Sequence, residues 1–137
     1  MFHMMKNPNR VIGEIELLST HFGNVHFDPA DPSTVTVESF DLPSGFCRRY
    51  AELLIDLGPL YPDLPPQDFY LSQGLRKKGS KLTHYFEDGP YSKRYCECGY
   101  AWYSLHIKKW RPDPCSMIRG DNLLTAVQAL YEALSTD

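Results

Sequence analysis

At 137 residues the chain has the length of one ordinary domain that can bury a core without a metal or disulfide staple. Hydrophobic residues at 42% and charged residues at 23% exclude a disordered chain. The net charge of −3, from 14 Lys plus Arg against 17 Asp plus Glu, argues against general nucleic-acid binding, which needs surplus cations to neutralise phosphates.

Met1 to Arg10 lacks the apolar stretch of a signal peptide, and no apolar run has the length of a bilayer span. The expectation is a cytoplasmic protein with no membrane partner. Its four cysteines are then free thiols, metal ligands or nucleophiles and not disulfides. Eleven prolines, clustered at 29–66 and 112–114, mark turns and extended connections.

Val11, Ile15, Leu18 and Phe22 recur at helical spacing and predict an N-terminal helix ended by Gly23. Asn24 to Phe27 reads as a short strand, and Asp28 to Ser33, with two prolines, as a turn. Val35 and Val37 alternate with Thr36 and Glu38, the period of a half-buried strand. Asp41 to Gly45 is a second turn. Phe46 to Leu57 is bounded by Ser44-Gly45 and Gly58-Pro59 and fits a meander strand, although Ala51-Glu52-Leu53-Leu54 also suits a helix. A strand there makes Cys47 a buried small hydrophobe. Gln67 to Leu71 is a short aromatic strand, and Ser72 to Pro114 a long polar, aromatic and glycine-bearing segment. The last helix is predicted to start at an Asp121 N-cap, with Leu123, Val127, Leu130 and Leu134 on one apolar face beside Leu124 and Tyr131. The order is α+β: an N-terminal helix, an antiparallel meander of about four strands, a long segment and a C-terminal helix, in one domain over 1–137.

Two motifs stand in order within this frame. Tyr61-Pro62-Asp63-Leu64-Pro65-Pro66 precedes the aromatic strand, and Trp110-Arg111-Pro112 precedes the last helix. Three prolines fix φ and remove backbone donors, so the first motif is a stiff corner and not a central strand. Tyr61 can pack its ring beneath that corner while its hydroxyl finds a polar partner. Trp110 reads as a core anchor.

With the element order from Val11 to Leu134, these motifs resemble the ubiquitin-conjugating enzyme superfamily, in a divergent bacterial branch, over nearly the whole chain. The resemblance implies a UBC-like fold in which a cysteine accepts the C-terminal carbonyl of a ubiquitin-like modifier, or another protein tail, as a thioester and passes it to an amine. That chemistry needs an exposed thiol, an oxyanion donor and a groove for the tail, and no cofactor. The implied partners are the modifier or protein C-terminal tail and an activating enzyme. Bacterial members occur in anti-phage defence operons, so a target protein such as a nucleotide cyclase is implied as well.

The sequence departs from the family pattern in its long segment. His84-Tyr85-Phe86-Glu87-Asp88-Gly89 stands where the family has a His-Pro-Asn turn, without the proline or the oxyanion-donating asparagine. An ungapped count back from Trp110 puts Trp102 at the catalytic position, which makes the chain an inactive binding module or scaffold for a modifier or a true conjugating enzyme. A small insertion instead puts the nucleophile in Arg94-Tyr95-Cys96-Glu97-Cys98-Gly99. Cys98 is the first candidate: Gly99 leaves room for a tail, and Lys93 and Arg94 can hold a thiolate. Cys96 is the second. His106 is the nearest downstream group able to donate a hydrogen bond or handle a proton, and some bacterial branches carry a histidine after the cysteine. A third reading is structural zinc on Cys96, Cys98 and Cys115 with His84 or His106, at a Cys-x-Cys spacing tighter than zinc usually takes. Arg76-Lys77-Lys78 reads as a solvated loop or a contact for an acidic partner or a nucleotide phosphate.

Overall fold

The structure, a computed structural model, describes residues 7–88 and 95–137, with only the backbone at Cys96. Helix α1 (Pro8–Ser19) begins at Asn7, whose side chain accepts from Arg10 N at 3.3 Å, and has Pro8 where no helical donor is needed. Val11, Glu14, Ile15 and Leu18 form its buried face. It ends four residues before the expected Gly23, because the Thr20 hydroxyl turns back onto Leu17 O at 2.7 Å in place of another helical turn. Phe22 lies beyond the helix and still packs on the core, its ring 5.9 Å from Phe40.

Six strands, β1 (Val25–Asp28), β2 (Asp31–Asp41), β3 (Tyr50–Asp56), β4 (Asp68–Ser72), β5 (Tyr85–Phe86) and β6 (Tyr100–Tyr103), form one antiparallel sheet in the order β1-β2-β3-β4-β6-β5. The expected four-strand meander is β1 to β4. Two corrections follow. The turn expected over 28–33 is shorter, because β2 begins at Asp31; Pro32 sits at a strand start, where a missing donor is tolerated. The segment expected to be irregular contributes β5 and β6, which extend the sheet past β4.

Alternation divides the side chains between two faces. Val35, Val37, Leu53, Ile55, Phe69, Leu71 and Tyr103 share one core with Val11, Ile15 and Leu18 of α1 and with Leu123, Val127, Leu130 and Leu134 of α2 (Leu123–Thr136). Thr36, Leu54, Tyr70 and Trp102 are register partners on the other face. There Tyr95 meets Tyr70 edge-on at 5.0 Å, and Phe86 lies 5.5 Å from Trp102.

The corner at 61–66 is built as its residues require. Tyr61 is fully buried beneath it, its hydroxyl donates to Glu14, and the Tyr61-Pro62 bond is cis. Trp110 anchors the corner: its Nε1 donates to Pro62 O at 2.7 Å and its ring lies 6.0 Å from that of Tyr61. A hairpin of β7 (Pro112–Asp113) and β8 (Ser116–Gly120) follows.

Helix α2 is capped by Asn122, not by Asp121, through a reciprocal box with Thr125. Asp121 instead closes the hairpin base, accepting from Arg111 N at 2.7 Å and donating its own N–H to Arg111 O at 3.0 Å. At the far end of α2, Lys77 Nζ donates to the carbonyls of Leu134, Ser135 and Asp137 at 2.9, 3.0 and 3.0 Å. Lys77 therefore caps a helix C-terminus, where a cation complements the dipole, and is not part of a solvated loop. Lys77→Met keeps the stem and removes the ammonium; it is expected to lower stability by about 1–2 kcal/mol. Lys78→Met should stay within about 0.5 kcal/mol of the parent. Equal urea midpoints for the two variants would refute the cap.

Candidate functional site

Cys98 closes a short 3-10 turn, Cys96–Cys98, in which its N–H donates to Tyr95 O at 3.0 Å. Gly99 follows at φ +94°, a left-handed conformation that reverses the chain into β6. The turn is tied to the end of β4: Gln73 N donates to Gly99 O at 3.0 Å, and Gln73 Nε2 to Tyr100 O at 3.1 Å. The Cys98 thiol is exposed on this fixed turn. Beside it, the Tyr100 hydroxyl donates to the Glu52 carboxylate. Burial, that hydrogen bond and the negative charge of Glu52 push the Tyr100 phenol above its ordinary range.

Glu52, Gln73 and Tyr100 were not singled out in the sequence. Their signal was positional. Tyr100 stands two residues before Trp102 on the same sheet face, and Gln73 stands one residue past an aromatic strand. The side chain of Cys96, and Lys93 and Arg94 with their expected charges, lie outside the described residues.

His106 was expected beside the thiol, and the structure places it elsewhere. It lines a groove of about 420 Å³ with Leu57, Gln67 and the proline corner. Gln67 and Gln73 flank opposite ends of β4, separated by on the order of 20 Å of extended chain. Cys98 shares the Gln73 end and His106 the Gln67 end. The reason is β6: the stretch between the two residues is an extended strand and not the loop that would bring them together. Trp102 is a strand residue paired on both sides, with its indole N–H on Asp68 at 3.1 Å.

The stretch at 84–88 also has a different architecture from a His-Pro-Asn turn. Tyr85 and Phe86 form the edge strand, and Glu87 accepts from Gly74 N at 2.7 Å and Arg76 Nη1 at 3.1 Å. Burial pushes the Tyr85 phenol up to about 12. His84 and His106 line one groove of about 510 Å³ with Tyr103 and Asp137. Burial alone would raise the Asp137 carboxyl. Hydrogen bonds from Thr83 N and Oγ1, Tyr103 and His84 N outweigh it and hold the group below the usual carboxylate range. A depressed folded pKa stabilises above the unfolded value, near 3.9, and the contribution is lost as pH falls through the folded value. Asp137→Asn is therefore expected to melt below the parent at neutral pH, with the gap closing at pH values under about 4. A gap independent of pH would contradict this.

Cys47 is exposed and not buried in a strand. The chain from Pro43 to Arg49 leaves the sheet, so β3 begins only at Tyr50, and Cys47 N pairs with Arg76 O at 2.8 Å. Cys115 is exposed in the β7–β8 turn, its N–H on Asp113 Oδ1 at 2.8 Å. Among the described residues no group of three or more His, Cys, Asp or Glu side chains is arranged to hold a metal ion. Also among them, no helix is long and apolar enough to cross a membrane. In comparisons with known proteins, the chain matches no family model, no curated protein and no solved structure.

Proposed function

We propose that the protein is a UBC-like acyl carrier that takes the C-terminal carbonyl of a ubiquitin-like modifier or another protein tail onto Cys98 and hands it to an amine. The observation that carries this reading is an exposed thiol on a glycine-followed turn that is hydrogen-bonded to the end of a sheet. The scaffold agrees with it: an N-terminal helix, an antiparallel meander, a proline corner held by Trp110, and a C-terminal helix.

The chemistry balances with an activated tail supplied by an activating enzyme. The thiolate attacks the carbonyl, a C–S bond forms and the activating group leaves. An amine then attacks the thioester, an amide forms and the thiolate departs with the amine proton passing to solvent. A bacterial anti-phage setting, with a nucleotide cyclase as target, belongs to this proposal and rests on the sequence resemblance alone.

The second reading is a docking module without chemistry. It is supported by Leu60 and Leu64, 55% and 53% exposed, which line the groove at the proline corner. A short peptide supplied as its C-terminal thioester distinguishes the two. The carrier forms one adduct per chain, mapped to Cys98 and released by reducing agent. A docking module shows slow labelling spread evenly over its exposed thiols.

A further inference from the structure

We propose that the two loops zipped together beside the Cys98 turn form a docking surface for an acidic peptide segment. On the function proposed above, on which this inference rests, that segment lies just upstream of the carbonyl presented to the thiol. The loops at 43–49 and 73–82 are joined through their backbones: Cys47 N donates to Arg76 O at 2.8 Å and Lys78 N to Gly45 O at 2.7 Å. This brings Arg48, Arg49, Arg76, Lys78 and Lys81 onto one exposed margin. Residues 43–49 and 73–88 carry six cations and two carboxylates, a local +4 that leaves −7 on the rest of a chain of net −3.

The cations are mostly uncompensated. Lys77 is used to cap α2. Arg76 pairs with Glu87 at 3.1 Å, with its side chain 67% exposed. Arg48 donates to the backbone at Gln73 O, and Arg49 lies 5.6 Å over the Tyr50 ring. Among the described residues, Arg48, Arg49, Lys78 and Lys81 have no carboxylate partner. Among the described residues the opposing charges on this side are Glu52, bonded to Tyr100, Glu87, which accepts from Gly74 N at 2.7 Å and pairs with Arg76, and the exposed Glu97.

Gln73 joins this margin to the thiol: its carbonyl accepts from Arg48 Nη2 at 3.3 Å while its N–H holds Gly99. Gly74 and Gly99 both have positive φ, with nothing within 4 Å of where a Cβ would stand, so an extended peptide can approach the backbone there. A peptide fits better than a nucleic acid. A short acidic segment senses only the charges within a Debye length of about 8 Å, whereas a longer polyanion also meets the acidic remainder of the surface.

The test is fluorescence anisotropy of a labelled Glu/Ser peptide at low and at raised salt. Wild type and Cys98→Ala should bind it alike, and more weakly as salt rises. The triple variant Arg48→Glu/Lys78→Glu/Lys81→Glu should lose at least tenfold in affinity. If the triple variant does not keep the parental circular dichroism, the single changes Arg48→Gln, Lys78→Gln and Lys81→Gln are read instead, each expected to weaken binding two- to fivefold. No binding by wild type, equal binding by the folded triple variant, or tighter binding of a single-stranded oligonucleotide of equal charge overturns the inference. Peptide binding without any Cys98 adduct refutes the carrier reading alone. Adduct formation indifferent to these charges refutes the docking surface alone.

Discussion

Glu14→Ala is expected to cost about 3–5 kcal/mol, the price of leaving a buried cation without its counter-charge. Glu14 is fully buried, and its carboxylate joins three separate parts of the fold. Oε2 accepts from Arg10 Nε at 2.9 Å, while Oε1 accepts from the Tyr61 hydroxyl and from Leu123 N at 2.7 Å. One side chain thus links α1, the proline corner and the first turn of α2, where a negative charge is favoured. Arg10 reaches on to Asp113 O in the hairpin, and its Nη2 is buried with no hydrogen-bond partner among the described residues. Alanine would strand the guanidinium, the phenol and the helix N–H together. At this chain length the loss corresponds to a fall in Tm on the order of 10–20 °C. Glu14→Gln with Arg10→Met keeps an acceptor and removes the stranded cation, so it should cost less than Glu14→Ala alone, about 2 kcal/mol or under. Urea denaturation of both variants decides the matter: a double variant as unstable as the alanine would mean that charge compensation is not what the site supplies.

That network also marks how far local reasoning reaches. Glu14 stands three residues after Val11, so the apolar helical face already included it, but a lone acid in that stripe carried no indication of its partners. A polar partner for the Tyr61 hydroxyl was foreseeable from burial of the ring; that it is a carboxylate 47 residues away follows only from packing. The helices and the β1–β4 meander were legible because their apolar residues keep periods near 3.6 and 2. β6 is hidden because both its faces carry large or apolar residues: Ala101 and Tyr103 are buried on the helix side, while Trp102 meets Phe86 on the other. Nearness in sequence points to His106 as the partner of Cys98, but the extended β6 between them keeps the two apart. The exposure of Cys47 is hidden from the sequence for a related reason. The Leu-rich run of β3 reads as continuous back through Cys47, whereas Pro43 and Gly45, at φ +98°, take the chain off the sheet to meet the basic loop.

If Cys98 is the acyl acceptor, Cys98→Ala should abolish the peptide-thioester adduct, and Cys98→Ser should change its chemistry. A serine adduct is an oxyester, formed at least a hundredfold more slowly and stable to reducing agent, because a hydroxyl is a far weaker nucleophile than a thiol near neutral pH. Cys47→Ser and Cys115→Ser should stay within twofold of the parent rate. Their thiols are exposed, but Cys47 accepts from Arg76 N at 3.3 Å and Cys115 sits at the tip of the hairpin, away from the turn that Gln73 holds. His106→Ala is the most discriminating control. A general base in contact with its nucleophile contributes typically 10²–10⁴-fold, but His106 stands at the other end of the sheet from Cys98, so its loss should change adduct formation by less than about threefold. A hundredfold loss would show that 95–106 rearranges to bring imidazole and sulfur together, and would return His106 to the thiol. Adducts that persist in Cys98→Ala at the parental rate would remove the carrier reading and leave the scaffold with its corner groove.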